Sequence, residues 1–201
     1  MKRFLDEAAS AELLEQYGIG VLKWKSMTNA DGAWDAAWSL GYPVIMKSID
    51  GSGRRLLRVF NSKEEMGSGL SSNTFTTSKA YEDNPTFYIQ KLPKGKEIST
   101  GFIRNEGYPP AVSLSLGGIF TSILNEVSYG SIPTEREAVL RMSKEIGADD
   151  ILNNGELSQM VNTVMKISKI CIEKKEILEM DIKLVVQDKG AITVDVSMIV
   201  G

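Results

Sequence analysis

The chain has 201 residues, 42% of them hydrophobic and 24% charged, which suits one large globular domain or two small lobes and argues against global disorder. Its 23 basic and 26 acidic residues leave a net charge of −3 with no basic block, so nucleic acid is not an expected partner, and no apolar run reaches membrane length. It has no histidine, which excludes a Ser-His-Asp triad, a His-based zinc site and a phosphohistidine relay, and its one cysteine, Cys171, excludes an internal disulfide and fits a reducing compartment, with the cytoplasm as the expected location.

The opening MKRFLDEAASAELL turns from basic to acidic and carries no hydrophobic segment for export. Asp6 to Tyr17 sets Ala8, Ala11, Leu14 and Tyr17 at helical steps, stopped by Gly18. Val21 to Lys25 alternates as a short strand. Asn29 or Asp31 caps a second helix to Leu40, with Trp34 and Trp38 on one face and Gly41 at its end. Both tryptophans read as lobe packing rather than a ligand platform. Pro43 to Ile49 and Leu56 to Phe60 read as strands about the turn Asp50–Gly53. Asn61 or Ser62 caps a helix through Met66, and 67–84 is polar, with room for a helix near Ser78.

Phe87 to Leu92, Glu97 to Arg104 and Ala111 to Leu116 read as further strands. Gly117-Gly118 marks a tight backbone site before an apolar run, 119–124. Thr134 and Glu137 make a capping-box pattern for a helix to Ile146. A longer helix, Glu156 to Cys171, aligns Met160, Val164, Ile167 and Cys171. Ile177 to Val186 and Ala191 to Val200 close the chain as a hairpin about Asp188-Lys189-Gly190. About five helices and eight or nine strands, with several direct hairpins, predict an α+β chain of two small lobes, 1–94 with its preceding helix and 95–201.

Four stretches, taken in order, carry a resemblance. LLEQYGIGV with the later LGYPVIMK, then YIQKLPKGKEISTGFIRNEGYPPAVSLSLGGIFTSILNEVSYGSIP, TEREAVLRMSKEI and EILEMDIKLVVQDKGAITVDVSMIV resemble the ATP-grasp β component of ADP-forming acyl-CoA synthetases. Related β components occur in succinyl-CoA synthetases. The resemblance spans roughly Ala8 to Val200. It implies an ATP-grasp-like fold with the nucleotide in a cleft between two α+β lobes. It also implies ATP or ADP as ligand, Mg²⁺ across the phosphates, and a CoA-binding α-like partner, with a homo-oligomer as the alternative. The implied chemistry passes a phosphoryl group between an acyl phosphate, a histidine and ADP.

The resemblance also names positions. Lys47 stands where the family keeps a phosphate-binding lysine; a solvated lysine at a strand end is the other reading. Gln90, Lys91 and Leu92 match the hinge whose backbone meets adenine, and Glu97 a glutamate near the ribose. Gly117 and Gly118 match the family's paired glycines, which let a phosphate or another backbone approach; a packing turn is the alternative. At the closing hairpin Asp195 keeps a Mg²⁺ ligand position, with Asp181 two residues before Lys183, but Lys183 replaces the family's asparagine and brings no oxygen. A three-residue hairpin loop with Gly190 left-handed sets Lys183 opposite Asp195. Lys183 is then expected to replace the cation.

Other departures follow the same trend. The histidine loop after PVIMK is shortened to DGSGRRLLRVF, where Arg54 and Arg55, with Arg58, offer an anion site or simply a solvated basic turn. Thr121-Ser122 replace a glutamate, Gly130 replaces an arginine, and a late loop is reduced to Asn153–Glu156. Three functions stay open: an active nucleotide-handling subunit with an unusual metal site, a catalytically degraded relative that retains the fold, and an interaction module that has abandoned nucleotides.

Overall fold

The computed structural model describes residues 2–27, 30–49, 55–71, 86–118 and 126–201. In chain order its elements begin β1 (Arg3–Phe4), α1 (Glu7–Gln16), β2 (Gly20–Val21), β3 (Lys25–Met27), α2 (Ala30–Leu40) and β4 (Val44–Ile49). Next come β5 (Arg55–Phe60), α3 (Lys63–Ser71), β6 (Thr86–Lys91), β7 (Lys96–Ile103), β8 (Ala111–Leu116) and β9 (Val127–Ser131). The chain closes with α4 (Arg136–Glu145), α5 (Ala148–Ile151), α6 (Asn154–Glu173), β10 (Ile177–Gln187) and β11 (Gly190–Val200). The turn at 50–53, the stretch 72–85 and the apolar run 119–124 lie outside the described residues.

Two compact bodies result, one of Leu22–Pro93 and one of Lys94–Gly201 together with residues 2–21. The opening helix therefore packs with the C-terminal body: Leu14 and Ile19 enter its core, and β1 and β2 both pair with β11.

In the body of Leu22–Pro93, β3-β6-β4-β5 form an antiparallel sheet. Ala33, Ala36 and Ala37 of α2 and Met66 of α3 pack on Val44, Met46, Phe60 and Ile89. The apolar stripe of α2 is centred on Ala33, Ala37 and Leu40, so Trp34 falls at its margin and Trp38 beyond it. Trp34 packs against the core, whereas Trp38 is 77% exposed beside the Lys63 ammonium. The packing reading is thus corrected for Trp38.

The larger body carries the sheet β1-β11-β10-β7-β8-β9, antiparallel, with β2 parallel beside β11. Alternation decides its faces: in β8, Val112, Leu114 and Leu116 are buried while Ser113 and Ser115 face outward. The buried face joins Phe102, Met180, Ile182 and Met198 to Met142, Met160, Val164 and Ile167 of the helices. Arg104 closes the far end of α6, donating to the Cys171, Lys175 and Ile177 carbonyls. Ser99, Gly101, Ser113, Ser115, Asp181, Lys183, Asp195 and Ser197 line the opposite face in register.

The capping box expected at Thr134 does not form. Helix α4 has Glu135 as its N-cap with no side-chain cap, and the Thr134 N–H donates instead to Ser168 Oγ at 3.2 Å, a tertiary contact that wins over the local motif. A capping box does open α6: Asn153 Oδ1 accepts from the Glu156 N–H and a Glu156 carboxylate oxygen from the Asn153 N–H, both at 3.0 Å. The strand expected over Val21 to Lys25 does not form as one: β2 ends at Val21 and β3 begins at Lys25. Strands β1 and β9 and the one-turn α5 are additions to the expected elements, too short to carry a periodic signal. Among the described residues no helix is long and apolar enough to cross a membrane.

Candidate functional site

The chemistry-bearing residues fall into three groups, each within one body. The first lies on the face of the small sheet away from α2. Lys47 pairs with Tyr88 across β4 and β6, and Ile45 with Gln90, so Lys47, Tyr88 and Gln90 share that face. Lys47 is 1% exposed, in mid-strand, which corrects the reading of a solvated strand-end lysine. Its ammonium lies 4.3 Å from the centre of the Trp24 ring and 5.5 Å from that of Tyr88, cation–π distances that help hold a charge out of water. The flanking Val44, Ile45 and Met46 signalled a buried strand, but nothing in the sequence pointed to Trp24 as the neighbour.

Gln90 is 3% exposed, and neither its amide nitrogen nor its amide oxygen has a hydrogen-bond partner. Lys91, on the other phase of β6, turns back to the end of α2 and donates to the Gly41 and Tyr42 carbonyls. The Leu92 N–H donates to the Pro43 carbonyl at 3.1 Å and is already satisfied within the fold. Of the three hinge positions, Gln90 alone presents an unused buried polar side chain.

The second group surrounds a cavity of about 230 Å³ lined by Gly95, Lys96, Glu97, Leu116, Gly117, Gly118 and Ile151. The glycine pair approaches Glu97 closely. The Gly117 N–H donates to the Glu97 carbonyl at 2.8 Å, and a Cβ at Gly117 would lie 2.8 Å from the Glu97 carbonyl carbon. Gly118 has φ +62°, in the left-handed region that favours glycine. Both glycines are thus required by backbone packing, whatever else they admit. Glu97 itself is exposed. Beside it, Lys96 pairs with Glu156 at 3.0 Å, so the glutamate that caps α6 also anchors β7. Sequence reading passed over both residues, because their pairing spans 60 positions.

The third group is the closing hairpin. Lys183 does face Asp195, Nζ to Oδ2 3.5 Å, but by a different route from the one expected. Gln187 pairs with Gly190 across a two-residue turn, and Gly190 is not left-handed. That turn alone would set Val194 opposite Lys183. A β-bulge corrects the count: Leu184 pairs with Thr193 and Lys183 with Asp195, leaving Val194 as the extra residue. Thr193 and Val194 are both buried in succession, and Asp195 emerges on the open face.

Asp181 occupies the same face, at the rim of a cavity of about 330 Å³ that Gly101, Ser113, Tyr129 and Glu179 also line. Although the residue keeps solvent contact, partial desolvation raises its carboxyl pKa above the ordinary value; Lys183 opposes this rise and Asp195 adds to it. Among the described residues no group of three or more His, Cys, Asp or Glu side chains is placed to hold a metal. The Lys183 ammonium offers no lone pair, so on this face Asp181 and Asp195 are the carboxylates and Lys183 adds no oxygen to them.

Arg54 and Thr121-Ser122 lie outside the described residues, as does the Arg55 side chain. Arg58 pairs with Met46 and packs over the Phe60 ring, in the opposite strand phase from Arg55. Gly130 faces inward: a Cβ there would meet Met142 Sδ at 2.8 Å, so restoring an arginine would require Met142 to move.

Comparison with known proteins places this geometry in context. The family described as ATP-grasp domain matches residues 61–200, and the carbamoyl-phosphate synthase L chain ATP-binding domain matches 6–107. The chain is 30% identical to the acetate–CoA ligase (ADP-forming) I subunit beta of Pyrococcus furiosus, covering 98% of this chain and 92% of that relative. It is 27% identical to acetate–CoA ligase (ADP-forming) I of Archaeoglobus fulgidus over 96% of its own length, but spans 30% of that relative. A dinucleotide-forming acetyl-coenzyme A synthetase 1 of Ca. Korarchaeum cryptofilum, solved with coenzyme A, Ca-AMPCP and HgCl⁺, shares the fold. Its TM-score is 0.73 at 22% identity, over 100% of this chain and 93% of that one. A solved protein of Pyrococcus horikoshii superposes with a TM-score of 0.72 at 25% identity, over 98% and 92%.

Proposed function

The chain belongs to the ATP-grasp family, alongside the β subunits of ADP-forming acyl-CoA synthetases, and from that membership we propose that it is a nucleotide-holding component that has lost most of its group-transfer chemistry. Its relatives' activity links acyl-CoA, ADP and phosphate to the free acid, CoA and ATP. Lys47 binds a phosphate oxygen, Gln90 to Leu92 border the base, Glu97 lies near the ribose, and Gly117 and Gly118 leave room for the ligand. The partner is a CoA-binding α-like subunit or a second copy of the chain, in the cytoplasm.

The observation that supports lost transfer is the ion pair of Lys183 with Asp195 at 3.5 Å, where a ligand oxygen is needed. The absence of any histidine and the glycine at 130 add to it. Lys47, at the position where the family keeps a phosphate-binding lysine, supports retained nucleotide binding over a pure interaction module.

Titration with ATP and ADP, in Mg²⁺ and in EDTA, tests the reading. Binding that is indifferent to the metal is expected. A ligand at 100-fold its dissociation constant also adds roughly 2.7 kcal/mol to stability, readable as a thermal shift. No binding under either condition would leave the interaction module standing. Tight binding that requires Mg²⁺, together with ATP formation from acetyl-CoA, ADP and phosphate beside an α subunit, would establish an active enzyme instead.

A further inference from the structure

Trp38 stands 77% exposed on α2, and the core of the small sheet does not account for it. Together with Trp34 one turn earlier, Tyr42 just after the helix, Asp35 and Lys63, it lines a cavity of about 270 Å³. The cavity lies within the body of Leu22–Pro93, on the α2 side of the sheet and so across it from Lys47. Two of its three rings are fixed by the fold. Trp34 and Tyr42 pack against the small core, the Tyr42 hydroxyl donates to Met66 Sδ at 3.3 Å, and a Cβ at Gly67 would lie 3.4 Å from Trp34 Cη2. The third ring already takes a cation: the Lys63 ammonium lies 5.6 Å from the centre of Trp38.

Size and charge narrow what this cleft can hold. Its volume falls just below the roughly 300–1,000 Å³ of pockets that take drug-sized ligands, which suits a small head group. Two carboxylates bear on it. Asp35 is in the lining, and burial followed by the nearby Glu64 carboxylate holds the Tyr42 hydroxyl pKa above its ordinary value. Against them stands the Lys63 ammonium, exposed on a flexible stem at the start of α3. Aromatic faces carry negative potential, so a bound carboxylate would be repelled by the rings and by both acids and would gain only Lys63. A bound cation is attracted by the rings and the acids, and the one group that repels it can swing into water. We propose that this cleft binds a small organic cation, an alkylated ammonium group seated on Trp34, Trp38 and Tyr42 and paired with Asp35, with Lys63 as its built-in competitor. A quaternary nitrogen suits the rings better than a bare ammonium, which is strongly hydrated. No residue of the cleft belongs to the nucleotide reading, so the two stand or fall separately.

Choline is the probe, titrated calorimetrically at constant ionic strength beside its uncharged analogue in which carbon replaces nitrogen. The unmodified chain is expected to bind choline roughly fivefold or more tightly than the analogue, because the shapes match and the charge alone differs. Lys63→Met removes the competing ammonium and should tighten choline by about two- to fivefold, the range of an exposed cation–π contact. Trp38→Leu keeps an apolar side chain without a ring face and should bring choline down to the level of the analogue. Asp35→Asn should weaken choline and leave the analogue unchanged. The three substituted side chains are exposed, so the variants should keep the melting temperature of the unmodified chain and report on the site. Equal binding of choline and its analogue, weaker choline binding by Lys63→Met, or no choline binding by the unmodified chain each overturns the cation site. Tighter binding of acetate than of choline would overturn it too, by making Lys63 the recognition group.

Discussion

Lys183→Asn exchanges the ammonium between Asp181 and Asp195 for an amide oxygen, and the cost to folding can be bounded. At the observed 3.5 Å, opposite unit charges attract by ~1 kcal/mol in water and ~5 kcal/mol at an effective dielectric near 20. The Lys183 side chain is 47% exposed and that of Asp195 17%, which places the pair near the surface limit. The expected loss is therefore about 0.2–1 kcal/mol, in the range measured for exposed pairs. In a chain of this length that is a fall in melting temperature of at most roughly 4 °C. A variant that stays folded then reports on chemistry rather than on stability.

The chemical consequence is larger than the structural one. With the ammonium gone, the face offers two carboxylates and an amide oxygen, a set that suits Mg²⁺. Calorimetric titration with ADP should show no effect of Mg²⁺ on the unmodified chain. In Lys183→Asn, the metal should tighten nucleotide binding by roughly fivefold or more, and nucleotide should tighten metal binding by the same factor, as linkage requires. The reasoning is refuted if the unmodified chain already needs Mg²⁺, or if the folded variant gains no metal dependence.

Gly117→Ala should destabilise by about 1–3 kcal/mol in urea unfolding, because the new Cβ meets the Glu97 backbone at 2.8 Å and backbone cannot step aside; a neutral result would contradict that packing. Asp181→Asn should stabilise the chain near neutrality. The raised pKa means that the folded state disfavours the carboxylate, so Asp181 costs stability above its ordinary value of 3.8, and the gain should vanish as the pH falls below that value, a trend read from paired thermal melts. The Cys171 thiol is buried, and desolvation pushes its pKa up to about 12, so alkylation at neutral pH should proceed no faster than the chain opens. Rapid labelling of the native protein would show the site to be accessible.

The strands and their faces were legible because alternation is a local signal: β8 spans the Ala111 to Leu116 read from the sequence, and the serines of that strand turned outward as its pattern requires. The bulge at Val194 was not legible. Two local events, a shorter turn and an inserted residue, shift the register by one in opposite senses, so the pairing of Lys183 with Asp195 survives an incorrect loop. Without the bulge Asp195 would pair with Ile182 and point into the helix-covered core. Thr134 shows the converse failure, a valid local motif displaced by Ser168, 34 residues away. The burial of Lys47 and Gln90 was equally hidden. Burial of a polar group depends on what packs over it, and Trp24 reaches Lys47 from the residue just before β3, 23 positions earlier.

The polar groups discussed above differ in what they cost the fold. Lys183 and Asp195 form a partly solvated pair that contributes little to stability. Gln90 is opposite in cost: it is buried with no partner for either end of its amide, and an aliphatic residue of similar size would serve the strand better. On the reading proposed above, nucleotide binding is therefore expected to be more sensitive to substitution on the small sheet than at the hairpin, where a charge can be exchanged at little cost to stability.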